Sequence, residues 1–221
     1  MKLLIVLIAA LAAALNRPTV AAARSADAAK FREFVRSDFH RHLLLRAFAL
    51  LPPAVFRRCP TLVSNQSQVT AIRLVTFGID GFPASGAWKE SFPVSGCGND
   101  TTINFYFVVG KGEKIDTLIA LPGTTHGSLT LQRDASMYAL MGGTLTTKGC
   151  KNLTITNTKF ESYGLSHPVT PDPGPLSRLR PWWETWTMVG CGHKVEIPVD
   201  FVPDATGTQI DVPAKFATID R

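Results

Sequence analysis

The sequence predicts an α+β fold of two pseudo-repeats, each a helix packed on a small antiparallel β-sheet with a Gly-Cys-Gly hairpin, stapled by disulfides. Three observations predict it. WKESFPVSGCG at residues 88–98 returns as WWETWTMVGCG at 182–192, with W-x-E, an aromatic and G-C-G at matching places. Cys59 and Cys97 are 38 residues apart, and Cys150 and Cys191 are 41 apart. Helix-like segments ending in breakers, RAFALLPP and SMYALMGG, precede the first cysteine of each pair. A spacing near 90 residues is too long for a solenoid, so two tandem units are expected, 24–123 and 124–221.

The chain opens with Met1-Lys2, an apolar run over residues 3–15 and small residues up to Ala23. That is the layout of a secretory signal peptide over 1–23, with cleavage expected near Ala23. Removing it leaves 21 basic residues against 17 acidic ones, a net charge of +4. The basic residues are scattered rather than clustered with aromatics, which excludes nucleic acid as a partner.

The first helix is expected over residues 30–51, where Phe31, Phe34, Val35, Phe39, Leu43, Leu45 and Phe48 recur at helical spacing before Pro52-Pro53. Arg32, Arg36, Arg41 and Arg46 flank that stripe and suit peripheral contact with a membrane surface. His40 and His42, two apart on a helix, point away from one another and read as a solvated face rather than a metal site. Strands follow at 71–77, at the W-x-E stretch and at 103–109, where INFYFVV alternates.

A second helix is expected over 128–141, with Leu131, Ala135, Tyr138 and Ala139 inward and Gly142-Gly143 ending it. LTITNTKF, from residue 153, reads as a strand. The proline-rich stretch over 164–181 reads as an irregular surface loop. In VEIPVDFV, Val195, Ile197, Val199 and Phe201 share one face, with Glu196, Pro198 and Asp200 opposite. Pro198 lacks a ladder N–H, which predicts an edge strand.

Four cysteines in an exported chain read as disulfides, because that compartment is oxidising. Of three pairings, the repeat favours Cys59–Cys97 with Cys150–Cys191. No metal ligand set and no cofactor are expected.

Chemistry is less legible. Along each W-x-E strand an acid, Glu90 or Glu184, shares a face with Trp88 or Trp182 and further apolar side chains. A buried carboxylate needs a partner. The expectation is an ion pair of the kind Arg73 or Arg133 could supply, or a hydrogen bond to backbone; a ligand-contacting aromatic face is the alternative. No nucleophile elbow, zinc-protease, phosphate-loop or dinucleotide motif is present, so no catalytic residue is assigned. The repeats differ in the loop before the W-x-E strand, where the second copy carries Arg178, Arg180 and the extra Trp183. Contact with a protein or glycan partner is therefore assigned to Trp88, Glu90, Trp182, Trp183, Glu184, Arg178 and Arg180. The reading is an exported, periplasmic or secreted, non-enzymatic binding or envelope-associated protein. The alternatives are a secreted hydrolase using loop residues and a membrane-surface accessory protein.

Overall fold

The computed structural model describes residues 20–51, 63–64, 67–95, 100–112, 114–167 and 180–220. Residues 1–19 of the expected signal peptide, Pro52-Pro53, Cys59, the first Gly-Cys-Gly, Arg178 and most of the proline-rich loop lie outside them. The described chain is α+β, with three α-helices, two antiparallel sheets and the Cys150–Cys191 disulfide.

Two compact units divide it. One holds Met1–Ala49, Ala71–Trp88 and Phe107–Asp116; the other holds Leu50–Thr70, Lys89–Tyr106 and Thr117–Arg221. The first unit contains α1 (Val20–Phe34) and α2 (Asp38–Ala49). A single helix was expected here. Ser37 divides it, because its Oγ accepts the backbone N–H of His40 at 3.2 Å and so caps a new helix. The core of this unit is aromatic: Trp88 is fully buried, stacked on Phe107 at 5.2 Å and met edge-on by Phe31 and Phe34. His40 belongs to that core, buried with its ring 5.6 Å from Phe34 and 6.2 Å from Phe107, contrary to the solvated face expected of it. The α2 face that buries Leu43 and Ala47, three and seven residues on, also carries His40. His42 is exposed, and so is Leu45, which the expected stripe had placed inward.

The first sheet comprises β1 (Val63–Ser64), β2 (Gln68–Phe77), β3 (Pro83–Ser95), β4 (Thr101–Val109) and β5 (Ile115–Ile119), ordered β1-β3-β4-β5 with β2 also on β3. The long strands β3 and β4 run through both units. Trp88, Glu90, Phe92 and Val94 alternate on one buried face of β3. In β4, Asn104 is buried on the face opposite Ile103, Phe105 and Phe107. Its amide donates to the carbonyls of Leu121 at 3.2 Å and Gly123 at 2.9 Å, and its Oδ1 accepts from Ser91 Oγ at 2.8 Å.

The second unit adds α3 (Leu129–Thr146) and a sheet of β6 (Thr154–Tyr163), β7 (Trp182–Gly190), β8 (His193–Pro203), β9 (Thr208–Asp211) and β10 (Thr218–Asp220). The order is β10-β8-β7-β6, with β9 also on β8. Ser128 caps α3 by accepting from Leu131 N–H at 3.3 Å. The helix runs through Gly142 and Gly143 instead of ending there. Their missing side chains are what the packing requires: a Cβ on Gly142 would lie 2.7 Å from Ile197 Cδ1, and one on Gly143 2.8 Å from Met188 Cε. The buried stripe is thus Gln132, Ala135, Ala139, Gly142 and Gly143, which leaves Tyr138, expected inward, 49 % exposed.

Against that stripe β7 and β8 present Trp186, Met188, Val195, Ile197, Val199 and Phe201, all fully buried. β8 is not an edge strand, contrary to the reading of Pro198. β7 pairs along one side, β10 pairs with residues 194–196 on the other and β9 with 200–203, so Pro198 falls in the gap between two short partners. Its missing N–H costs no ladder bond there. β7 joins β8 through two residues, Cys191 (φ 50°) and Gly192 (φ 79°), flanked by the Gly190–His193 pair. Positive φ at both positions matches the twist of a two-residue hairpin. For Cys191 that conformation is strained, and the bond to Cys150 fixes the residue in it.

Candidate functional site

Glu184, the third residue of β7, is fully buried, with Trp182 and Trp186 two residues to either side on the same face. Four donors converge on its carboxylate. Oε1 accepts from Thr125 Oγ1 at 3.0 Å, the His126 backbone N–H at 2.9 Å and Trp182 Nε1 at 3.0 Å. Oε2 accepts from Trp186 Nε1 at 2.8 Å. These bonds meet the need of a buried carboxylate for hydrogen-bond partners. Arg133, offered by the sequence as an ion-pair partner, is exposed and bonds Asp134 instead. Of the expected partner types, only the backbone hydrogen bond is found at Glu184.

The two loop donors are held in place by β6. Thr124 N–H donates to Thr158 O at 2.7 Å, and Thr158 N–H donates to Pro122 O at 2.8 Å. Between them Gly123 has φ 109°, and a Cβ there would collide with the Thr158 backbone. Only glycine fits so close an approach. The His126 ring stacks on Phe160 with centroids 3.9 Å apart. Glu184 therefore ties the loop before α3 to the sheet, and nothing at 0 % exposure can reach it from solvent.

In the first W-x-E stretch Glu90 is 2 % exposed and accepts from Ser67 Oγ at 2.7 Å. Trp88 is fully buried, and its Nε1 finds no hydrogen-bond partner among the described residues. Trp88, Glu90 and Glu184 are thus interior residues rather than surface contacts. Trp182 is half-buried and stacked on Phe201 at 4.8 Å.

Trp183 differs. It faces away from α3, its Nε1 donates to Ser162 Oγ at 2.9 Å, and its ring lines a pocket of about 280 Å³. Ser166, Thr185, Glu196, Pro198, Phe216 and Thr218 complete the pocket. Arg180 is exposed just before β7. At the rim, Lys194 Nζ lies 2.8 Å from Glu196 Oε1, and that hydrogen bond, with Asp220 adding to the field, raises the Lys194 pKa.

Beside this pocket Ser166 N–H and Oγ each donate to buried Asp200 at 2.7 Å, and Ser166 Oγ lies 3.0 Å from His167 Nδ1. The three residue types suggest a nucleophile relay, but the geometry is not one. A relay places the imidazole between hydroxyl and carboxylate, using both ring nitrogens. Here Ser166 bonds Asp200 directly, and both meet the same nitrogen.

A second concavity, about 390 Å³, lies between α3 and the strand edge, lined by Leu51, Ile103, Ile119, Leu121, Leu140 and Ile155 among others. Its polar neighbours are spent internally: Gln132 bonds Leu121 N–H and Gly127 O, and Ser136 Oγ donates to Gln132 O.

Sequence reasoning had no local signal for the Thr125, His126 and Ser166 contacts, which close over 34 to 59 residues. The indole donors were legible, since Trp182 and Trp186 flank Glu184 at i±2 on one strand face. Fold and site define a disulfide-bonded α+β protein with a buried carboxylate on one face of its second sheet and a Trp-lined pocket on that sheet's other face. The chain matches no protein-family model, no curated protein and no solved structure.

Proposed function

We propose that this chain is an exported, non-enzymatic binding module built from two copies of one helix-and-meander unit, with recognition on the sheet face that carries Trp183. The observation that carries this reading is the division of labour on β7. Glu184, the acid that the repeat singles out, is consumed by four internal bonds, whereas Trp183, which the first copy lacks, lines an open pocket. Duplication accounts for a helix followed by an antiparallel meander appearing twice in chain order. The disulfide fits an oxidising compartment, and no helix among the described residues is long and apolar enough to cross a membrane.

The pocket's chemistry suits a sugar unit. The Trp183 and Phe216 rings supply apolar surface, and Thr185, Thr218, Ser166 and Glu196 ring it with hydroxyls and a carboxylate. The Trp183 N–H is already bonded, so this side chain offers its ring alone. The test is retention of the mature protein on a glycan array, beside the variant carrying Arg178→Ala, Arg180→Ala and Trp183→Ala. Retention by the wild type and its loss in a folded variant support the reading. Equal retention by both, or none by either, refutes this face as a glycan site.

A further inference from the structure

We infer that His167 and Asp211, with Asp200 orienting the imidazole from behind, form a site for one divalent transition-metal ion of the zinc class. The inference rests on this cluster alone and stands whether or not the pocket beside it binds a glycan. Asp200 on β8 and Asp211 on β9 are direct cross-strand partners. Side chains so paired on one sheet face have Cβ atoms about 5 Å apart, and like charges placed that way repel. Asp200 is 1 % exposed, so water does little to screen it. Two carboxylates in this arrangement call for positive charge between them, and no lysine or arginine pairs with either among the described residues. The imidazole of His167 lies across the gap instead, with Nδ1 3.2 Å from Asp200 Oδ2 and Nε2 4.0 Å from Asp211 Oδ2. One donor atom from each residue falls within 4.8 Å of the others.

Each part has a role familiar from metal chemistry. Ser166 fixes the Asp200 carboxylate through its N–H on Oδ1 and its hydroxyl on Oδ2. A carboxylate held this way accepts the Nδ1–H of the imidazole, sets its tautomer and leaves the Nε2 lone pair for a cation. The 4.0 Å between Nε2 and Asp211 Oδ2 is too long for a hydrogen bond. Bonds of about 2.0–2.2 Å place the ligands of a tetrahedral ion roughly 3.3–3.6 Å apart, which a shift of about half an ångström in the half-exposed Asp211 side chain reaches. Asp211 is half-exposed, which leaves the outer coordination positions open to water. Two carboxylates and a neutral imidazole balance a dication. A mixed nitrogen and oxygen set selects zinc-like ions over calcium or magnesium, which take oxygen alone. The site adjoins the pocket: Ser166 lines it, and the His167 ring is 5.2 Å from Phe216. An open coordination position would face a bound oxygen ligand there.

The test uses the mature, disulfide-intact chain, stripped with a chelator and titrated with zinc chloride in a non-coordinating buffer. Calorimetry and metal analysis should give one zinc per chain. Few protein ligands imply a dissociation constant in the micromolar range, and saturating zinc should raise Tm by several degrees. His167→Gln and Asp211→Asn should each weaken binding at least tenfold and abolish the Tm rise, with unchanged circular dichroism. Millimolar calcium should not compete. No binding up to millimolar zinc, wild-type affinity in both variants, or equal displacement by calcium would each overturn the site. Loss of folding in one variant leaves the other, and the calcium competition, to decide.

Discussion

Replacing Glu184 by Gln changes one oxygen to an amide nitrogen and keeps the shape, so it isolates the carboxylate's part in stability. Three donors meet Oε1 and one meets Oε2. The best glutamine rotamer keeps its oxygen under the three donors and turns its NH₂ against the indole N–H of Trp186. Each retained bond falls from the charged class, about 1.5–3 kcal/mol, to the neutral class, about 0.5–1.5 kcal/mol. Three such losses come to roughly 3 kcal/mol, and the opposed N–H groups add about 1–3 kcal/mol. Relief of the carboxylate's own desolvation offsets part, which leaves a net cost of about 3 kcal/mol. Urea denaturation followed by tryptophan fluorescence reads it directly. Trp186→Phe supplies the control: in the Gln background its N–H is already unpaired, so the double variant should cost about 1–2 kcal/mol less than the sum of the singles. A single-variant cost below about 1 kcal/mol, or strict additivity, would refute a carboxylate held by these four donors.

Replacing Cys150 and Cys191 together by Ser opens a loop with a sequence separation of 41 and should cost about 4 kcal/mol in chemical denaturation. Gly123→Ala, whose Cβ collides with the Thr158 backbone at φ 109°, should cost at least about 3 kcal/mol. Gly164→Ala, at φ 114° with open space around it, should cost only about 1–2 kcal/mol; equal losses at the two glycines would show that the close approach is not tight. Burial lowers the Lys89 pKa from 10.5, so the folded chain binds fewer protons than the unfolded one between that lowered value and 10.5, and stability rises with pH across this window. Lys89→Met should therefore raise Tm at neutral pH, by a margin that shrinks as pH approaches 10.5; a margin constant across the titration would disprove the burial cost.

What the sequence reveals here is what depends on short-range period. Alternation over 195–202 and the apolar W-x-E faces correspond to β8, β3 and β7, because burying one face fixes which residues point inward. What it hides depends on packing or on distant pairing. Gly142-Gly143 reads locally as a stop, yet the sheet surface at Ile197 and Met188 needs helix positions without side chains. The Ser37 cap was visible as a residue type but lay inside an unbroken apolar stripe. β9 and β10 are short and largely exposed, so they show no alternation against a core. The Asp200–Asp211 register joins residues whose proximity follows only from the strand order.

The repeated letters W-x-E set a strand face, not a shared chemistry. When the two W-x-E stretches are aligned, Trp186 falls on Phe92. A phenyl ring has no N–H, so Glu90 cannot be held from that position as Glu184 is, and Ser67 donates to it instead. Trp88 keeps the indole, but its Nε1 is buried without a partner among the described residues, a cost of about 1–3 kcal/mol that the surrounding ring contacts offset. Both W-x-E strands thus bury their carboxylate, each with its own set of donors. On the other face, Trp183 aligns with Lys89. The Trp183 ring lies beside a pocket and next to the His167, Asp200 and Asp211 cluster. The recognition face proposed for this chain is therefore the one at which the two W-x-E strands differ most in residue type.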